Sequence, residues 1–381
     1  MKITKVETFA VPPRWLLCRI ETDEGIVGWG EPVVEGRAAT VRTAVGELAE
    51  LLIGKDPSRV EDHWQLMTKG SFYRGGPVLS SAVAGLDQAL WDIAGKSLGV
   101  PVHVLLGGAV RDRVRAYSWV GGDDPAGITD AVHAQVEAGF TAVKMNACGP
   151  MNRLATVRDI DDVTARAAAA REALGPDRDF AVDFHGRFHA ANARKVLPHL
   201  APFNPLFAEE PLLPDYPHLL EGLTAASPVP IATGERLYSR TDVLPALQAG
   251  VAVLQPDLSH AGGISEVRRI ASLAETFDTL IAPHCPLGPV SLAASLQVAF
   301  TTPNFLIQEQ SIGIHYNDGA EVLDYVVDTE VFRFHQGHLA LPTAPGLGIE
   351  VDEAAVRAAD GRTPDWHNPV WRHEDGSFAE W

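Results

Sequence analysis

The chain has 381 residues, enough for two domains or one large barrel with additions. Its 46 % hydrophobic and 21 % charged content is that of a soluble globular enzyme. A net charge of −18 leaves no basic patch to neutralise phosphates, which excludes nucleic acid as a partner class. An acidic substrate must then be drawn in locally, most simply by a bound cation. The three cysteines, Cys18, Cys148 and Cys285, are widely spaced and odd in number, which fits a reducing compartment and argues against a disulfide framework or a Cys-rich zinc site. The start, Met1-Lys-Ile-Thr-Lys-Val-Glu-Thr8, lacks the apolar core of a signal peptide, and no apolar run is long enough to span a bilayer. The expectation is a cytoplasmic protein with no membrane partner.

Residues 3–34 alternate like strands, broken at Pro12-Pro13 and turned at Asp23-Glu-Gly25, which predicts a small antiparallel sheet with a hairpin. Three helical patterns follow. The first covers roughly 39–53. The second starts after Asp56-Pro-Ser58, with Ser58 as N-cap and Glu61 three residues on. The third covers roughly 78–97, with Ala82, Leu86, Ala89, Leu90 and Ile93 on one face. Sheet first and helices after is an α+β arrangement. Between the last two helices, Gly70-Ser-Phe-Tyr-Arg-Gly-Gly-Pro77 reads as a loop that touches a ligand or partner.

From about residue 115 the rhythm becomes strand–helix alternation. Strand candidates end at Val120, Asn146, His185, Glu209, Glu235, Asp257, His284 and Glu309, with helical segments between them such as 126–138, 154–174, 264–276 and 287–301. Eight short apolar strands alternating with helices predict a parallel (β/α) barrel, whose chemistry sits at the strand C-termini. Expected divisions are 1–114 for the α+β unit, 115–319 for the barrel and 320–381 for a final segment. That segment carries Trp366, Trp371 and Trp381, too much aromatic surface for a solvated tail, and is expected to pack back on the first unit.

Three apolar runs end on acids: Phe180-Ala-Val-Asp183, Leu206-Phe-Ala-Glu209 and Pro230-Ile-Ala-Thr-Gly-Glu235. One such acid alone reads as a helix cap. Three on consecutive strands, at equal intervals of about one βα unit, read as hard oxygen ligands for Mg²⁺. Residues two apart on a strand share a face, so Asp183 goes with His185, Lys144 with Asn146, and Gln255 with Asp257. His284 ends the strand beside that of Asp257, and a carboxylate next to an imidazole fixes its tautomer and raises its pKa, as a proton acceptor needs. His185 sits nearly across the barrel, so two histidines can act on two faces of a substrate. Lys144 is read as facing the site because its neighbours Val143 and Met145 are apolar. Glu309 stays open between a site residue and a partner for neighbouring backbone or arginine.

Longer strings carry a resemblance. They include Pro12-Pro-Arg-Trp15, Phe72-Tyr-Arg-Gly-Gly-Pro77, Tyr117-Ser-Trp-Val-Gly-Gly-Asp123, Asp183-Phe-His-Gly-Arg187, Gln255-Pro-Asp-Leu-Ser-His-Ala-Gly-Gly263, Ala282-Pro-His-Cys-Pro-Leu-Gly-Pro289 and Gln308-Glu-Gln-Ser311. With the tail from Pro364 to Trp381, these resemble the enolase superfamily in its mandelate racemase-like branch, over nearly the whole chain. The resemblance implies an α/β fold: a modified (β/α)₇β TIM-like barrel with an N-terminal α+β capping domain completed by the C-terminal tail. It implies one Mg²⁺ per subunit on Asp183, Glu209 and Glu235, with Mn²⁺ a possible substitute, and a homo-oligomer. It makes His284 with Asp257 the base dyad, His185 the general acid and Glu309 the stabiliser of developing negative charge.

The implied activity is a carbon–oxygen lyase, dehydration of a small sugar acid. D-galactonate is the expected substrate; gluconate, mannonate or a pentonate are alternatives, and an acid-sugar epimerase is the rival. That branch often carries Lys-X-Lys on its second strand; here the match is Lys144-Met-Asn146, which removes the second lysine as a base. Arg14 and Tyr73, in the loops at 12–16 and 70–77, are the candidate substrate contacts together with Lys144 and Asn146.

Overall fold

The computed structural model describes every residue except 122–123, 188, 316, 363–365 and 381. The chain opens with three antiparallel strands, β1 (Ile3–Val11), β2 (Trp15–Thr22) and β3 (Val27–Gly30), in that spatial order. Helices α1 (Ala38–Leu52), α2 (Val60–Lys69) and α3 (Pro77–Leu98) follow. β3 presses directly on α3: a Cβ at Gly30 would stand 1.8 Å from the Gly85 carbonyl oxygen, so only glycine permits the contact. The expected Ser58 cap does not form. Ser58 gives its own N–H to Asp56 Oδ1 at 3.0 Å, and α2 begins after an uncapped Arg59. The Asp56 side chain has closed a local turn in place of the cap.

After a short helix, α4 (Val102–Leu105), and a short strand, β4 (Arg113–Arg115), come β5 (Ser118–Trp119), α5 (Pro125–Glu137), β6 (Ala142–Asn146), α6 (Val157–Leu174), β7 (Asp179–Asp183) and α7 (Ala190–Leu200). Next are β8 (Ala208–Glu209), α8 (Pro217–Thr224), β9 (Ile231–Thr233), α9 (Arg240–Gln248), β10 (Val253–Leu254), α10 (Gly263–Glu275), β11 (Leu280–Ile281) and α11 (Pro289–Thr301). Strands β5 to β11 form one parallel sheet in sequence order.

The eighth expected strand, ending at Glu309, bridges both edges of this sheet. Phe305 pairs with Ile281 and Gln308 with Ala116, each by a single bridge. Pro283 has no N–H to extend the ladder on the β11 side. Tyr117, Ala142, Ala181, Phe207, Ala232, Val253, Ala282 and Ile307, one from each of the eight segments, pack together as a cluster of large and small side chains. They plug the interior, so the polar residues beyond them stand on a solid floor.

Past the barrel, β12 (His338–Ala340) pairs antiparallel with β4. Helix α12 (Glu353–Ala359) lies on β1: Arg357 Nη2 reaches Glu7 Oε2 at 3.0 Å, and Arg19 on β2 reaches both Glu353 at 3.1 Å and Glu7 at 3.2 Å. Two short strands, β13 (Trp371–Arg372) and β14 (Phe378–Ala379), close the chain. Trp366 stands by the Arg14 guanidinium, 5.9 Å from its ring, whereas Trp371 lies under Arg187 of the barrel at 4.8 Å. Trp381 lies outside the described residues. All three cysteines are buried and free. Among the described residues, no helix is long and apolar enough to cross a membrane.

The α12 contact gives a pH-dependent prediction. Hydrogen bonding from Arg357, helped by Lys5 and opposed by burial, holds the Glu7 carboxyl at about 2, against an ordinary 4.5. The folded value lies below the unfolded one. The stabilisation is therefore complete above 4.5 and is lost as pH falls through about 2. The gap in Tm between wild type and Glu7→Gln, measured by thermal melts, should be full near about pH 6 and clearly narrower by about pH 3.5.

Candidate active site

Asp183 closes β7 and Glu209 closes β8, and the two are register partners in the sheet. Glu235 follows two residues after β9. Oxygens from the three lie within 4.8 Å of one another. Asp183 and Glu209 are 1 % and 0 % exposed, yet Asp183 Oδ2 and Glu209 Oε1 have no hydrogen-bond partner. Burial and then the Asp183 charge push Glu209 up to about 7. Burial and then Glu210 push Glu235 well above the carboxylate range. Crowded, acceptor-only oxygens with orphaned lone pairs fit a divalent cation, which would supply the missing partner and counter-charge. Asp257, His260 and His284 also converge within 4.8 Å. There Asp257 Oδ2 and His284 Nδ1 are 2.7 Å apart, a hydrogen bond rather than two arms of a metal site.

Lys144 is fully buried on β6 beneath the acids. Its Nζ is 2.7 Å from Glu209 Oε2, 2.9 Å from Glu309 Oε1 and 3.7 Å from Asp183 Oδ2. It also faces the rings of Tyr117 and Trp119 at 5.2 and 5.0 Å. Burial works against its charge, but Glu209 and Glu309 outweigh that and hold its pKa well above the usual lysine value. Glu309 takes hydrogen bonds from Lys144, from Trp119 Nε1 at 2.7 Å and from the Cys285 N–H at 2.9 Å. Burial opposes ionisation, but Lys144 and then His284 bring its carboxyl down to about 2.

The two histidines flank the triad on either side. His185 Nε2 lies 3.3 Å from Asp183 Oδ2, and His284 Nε2 lies 3.3 Å from Glu235 Oε2. With Nδ1 of His284 turned to Asp257, its Nε2 is the nitrogen left facing the site. His185 has φ +50 and gives its own backbone N–H to Asp183 Oδ1 at 2.9 Å, which orients that acid. Its ring lies parallel to Trp119, with centroids 6.4 Å apart. Burial, then Arg187 and Lys144, depress its pKa, whereas Glu235 and Glu309 overcome burial to raise that of His284. The two imidazoles are thus electrostatically unlike.

Both histidines and Glu235 line a cavity of about 910 Å³, together with Arg14, Asn146 and Trp119. Asn146 Oδ1 is buried without a hydrogen-bond partner, as a ligand-facing group would be. Arg14 is anchored to the Pro286 carbonyl at 2.8 Å. Tyr73 is 80 % exposed, stacked edge-on to Phe72, and is not among the residues that line this cavity. The glycines at 75 and 76, both at positive φ, carry the loop outward before α3 begins. The wall also holds Glu35, Arg166, Arg187, Arg236 and His260, which sequence reasoning left unassigned. Position was a usable signal for Arg187 and Arg236, each adjacent to or two residues from a strand-end polar residue. Glu35 and Arg166 come from a loop and a helix and carried none.

Two family models match the chain: the mandelate racemase/muconate lactonizing enzyme N-terminal domain over residues 7–107, and the enolase C-terminal domain-like family over residues 127–355. The D-galactonate dehydratase of Variovorax paradoxus (strain S110) is 55 % identical, with all of both chains covered. That of Ralstonia pickettii (strain 12J) is 54 % identical over the same full span. Among solved structures, a putative galactarate dehydratase from Agrobacterium radiobacter, bound to sodium and L-malate, superposes with a TM-score of 0.92 at 33 % identity, over all of both chains. A putative mandelate racemase/muconate lactonizing enzyme from Labrenzia alexandrii gives 0.90 at 28 % identity, covering 97 % of this chain and 99 % of its own.

Proposed function

This chain belongs to the mandelate racemase/muconate lactonizing enzyme family of the enolase superfamily, and on that basis we propose that it is a D-galactonate dehydratase. The observation that carries the reading is the pair of imidazoles on opposite flanks of one carboxylate triad, each Nε2 3.3 Å from a different acid. Full-length identity to two D-galactonate dehydratases supports the choice of sugar acid. Residues 1–114 cap the mouth, 115–319 carry the chemistry, and 320–381 tie the two together.

Asp183, Glu209 and Glu235 hold one Mg²⁺, or Mn²⁺ in its place. Bound there, the cation supplies Lewis-acid neutralisation of the charge that develops on the substrate acid. His284 removes the C2 proton through Nε2, while Asp257 fixes its tautomer and steadies the imidazolium. His185, on the opposite flank, gives a proton to the C3 hydroxyl, which leaves as water. The enol that remains tautomerises to 2-dehydro-3-deoxy-D-galactonate. A histidine or lysine base with Mg²⁺ is a general pattern of this superfamily. Glu309 accepts three hydrogen bonds and is ionised. A carboxylate in that state cannot itself donate to an oxyanion. Its share in stabilising negative charge therefore runs through Lys144, which it pins under the site.

The test is a panel of aldonates with Mg²⁺-loaded protein, scored for 2-keto-3-deoxy acid. Galactonate should be consumed, EDTA should reduce turnover to background, and Mg²⁺ should raise Tm in a saturable way. Turnover of gluconate, mannonate or a pentonate with galactonate inert would replace the substrate and keep the chemistry. Scrambling at C2 without keto acid would replace the reaction by epimerisation.

A further inference from the structure

Two guanidinium groups in the cavity wall form no salt bridge among the described residues. Arg166, on the barrel-facing side of α6, is 9 % exposed, and Arg187, four residues past the end of β7, is 7 % exposed. Neither has a carboxylate within ion-pair distance among the described residues. Among the described residues, Arg166 Nη1 and Arg187 Nε have no hydrogen-bond partner. Arg187 gives one N–H to the Cys148 carbonyl and packs over Trp371; Cys148 and Trp371 line the same cavity. The contrast within the molecule is sharp. Buried Arg19 meets Glu7, Glu21 and Glu353, and Arg236 meets Glu210.

Burying an unpaired guanidinium is costly, and such groups are retained where something arrives to pair with them. Hydroxyls offer only neutral acceptors. An oxyanion answers both the charge and the orphaned N–H groups, and the guanidinium fork matches carboxylate or phosphate geometry. The acid triad and its cation account for one carboxylate of a substrate, and the cavity extends beyond it.

We propose that Arg166 and Arg187 form an oxyanion subsite in the cavity wall, separate from the acid triad. The ligand chemistry is a carboxylate or phosphate group. It can come from a second acidic group on the same acyclic molecule or from a free inorganic anion. The subsite rests on this charge accounting and stands whether or not galactonate is the substrate.

Calorimetry on the Mg²⁺-loaded full chain decides between the sources. Galactarate, the diacid counterpart of galactonate, and inorganic phosphate are titrated separately, with and without galactonate. If the second acidic group is on the substrate molecule, galactarate binds about tenfold or more tightly than galactonate and is displaced by it. If the anion is free, phosphate binds and galactonate does not displace it. In either case Arg166→Met and Arg187→Met should each remove the anion's advantage, in variants whose circular dichroism and melting match wild type. Should Arg166→Met fail to fold, Arg187→Met alone carries the comparison. The subsite is overturned if galactarate binds no better than galactonate and phosphate does not bind, or if both variants bind the anion as wild type does. Anion binding with galactonate inert would overturn the proposed substrate and leave the subsite standing. Galactonate turnover without anion binding would do the reverse.

Discussion

Substituting His284 by alanine is expected to abolish both exchange of the galactonate C2 proton with heavy water and formation of keto acid. The expectation follows from what else is within reach. His284 Nδ1 is committed to Asp257 at 2.7 Å, which leaves Nε2 facing the site as the nitrogen proposed to accept the proton. His260 has its ring centroid 6.1 Å from that of His284 and is turned toward Ser81 and Glu35. Lys144, the nearest amine, is fully buried and holds its proton against three carboxylates. Neither group is placed to take over the base role proposed for His284. Loss of a positioned general base costs about 10²–10⁴ in rate, and here exchange and dehydration share that step and should fall together. Proton NMR of the C2 signal in heavy water reads the exchange, and a keto-acid assay reads the product. A Tm rise on Mg²⁺ addition confirms that the variant keeps its metal site. Exchange at the wild-type rate in this variant would remove His284 from the role of base.

Much of this arrangement could be read from residue order, for definable reasons. Asp183, Glu209 and Glu235 stand out because apolar strand residues precede each of them, and a barrel converts equal sequence intervals into adjacent positions. His185 and Asp257 follow from the two-residue period of strands, and His284 from its place on the neighbouring strand. What depends on tertiary detail was harder to see. The eighth strand is held by two single bridges, partly because Pro283 cannot donate. Ser58 lost its cap to a local Asp56 turn. Tyr73 lies on a loop whose direction is set by two positive-φ glycines. Glu309 looked ambiguous because its meaning depends on Lys144, Trp119 and Cys285, none of them near it in sequence. Arg166 carries no local signal at all. An arginine on a helix normally reads as solvated, and only the packed barrel shows that it is buried with no salt bridge among the described residues.

Substituting His185 by asparagine is expected to separate the two halves of the reaction. C2 exchange should persist while dehydration falls by about 10²–10⁴. Asparagine is the informative choice for a backbone reason. His185 sits at φ +50, in the left-handed region, where asparagine is tolerated far better than alanine. The hydrogen bond that orients Asp183 comes from the main-chain N–H of residue 185, 2.9 Å from Oδ1, and survives any side chain. Metal binding and the His284–Asp257 dyad should therefore remain in place. What disappears is the imidazole that faces Asp183 and stacks on Trp119. An amide cannot deliver a proton to the departing C3 hydroxyl. The C2 proton would leave to His284 and return from solvent many times for each molecule of keto acid formed. If dehydration runs at the wild-type rate, another group protonates the leaving hydroxyl. If exchange and dehydration fall by the same factor, His185 acts before C2 deprotonation, in binding or in shaping the metal site. Only a split between the two rates, with exchange the faster, fits a general acid opposite the base.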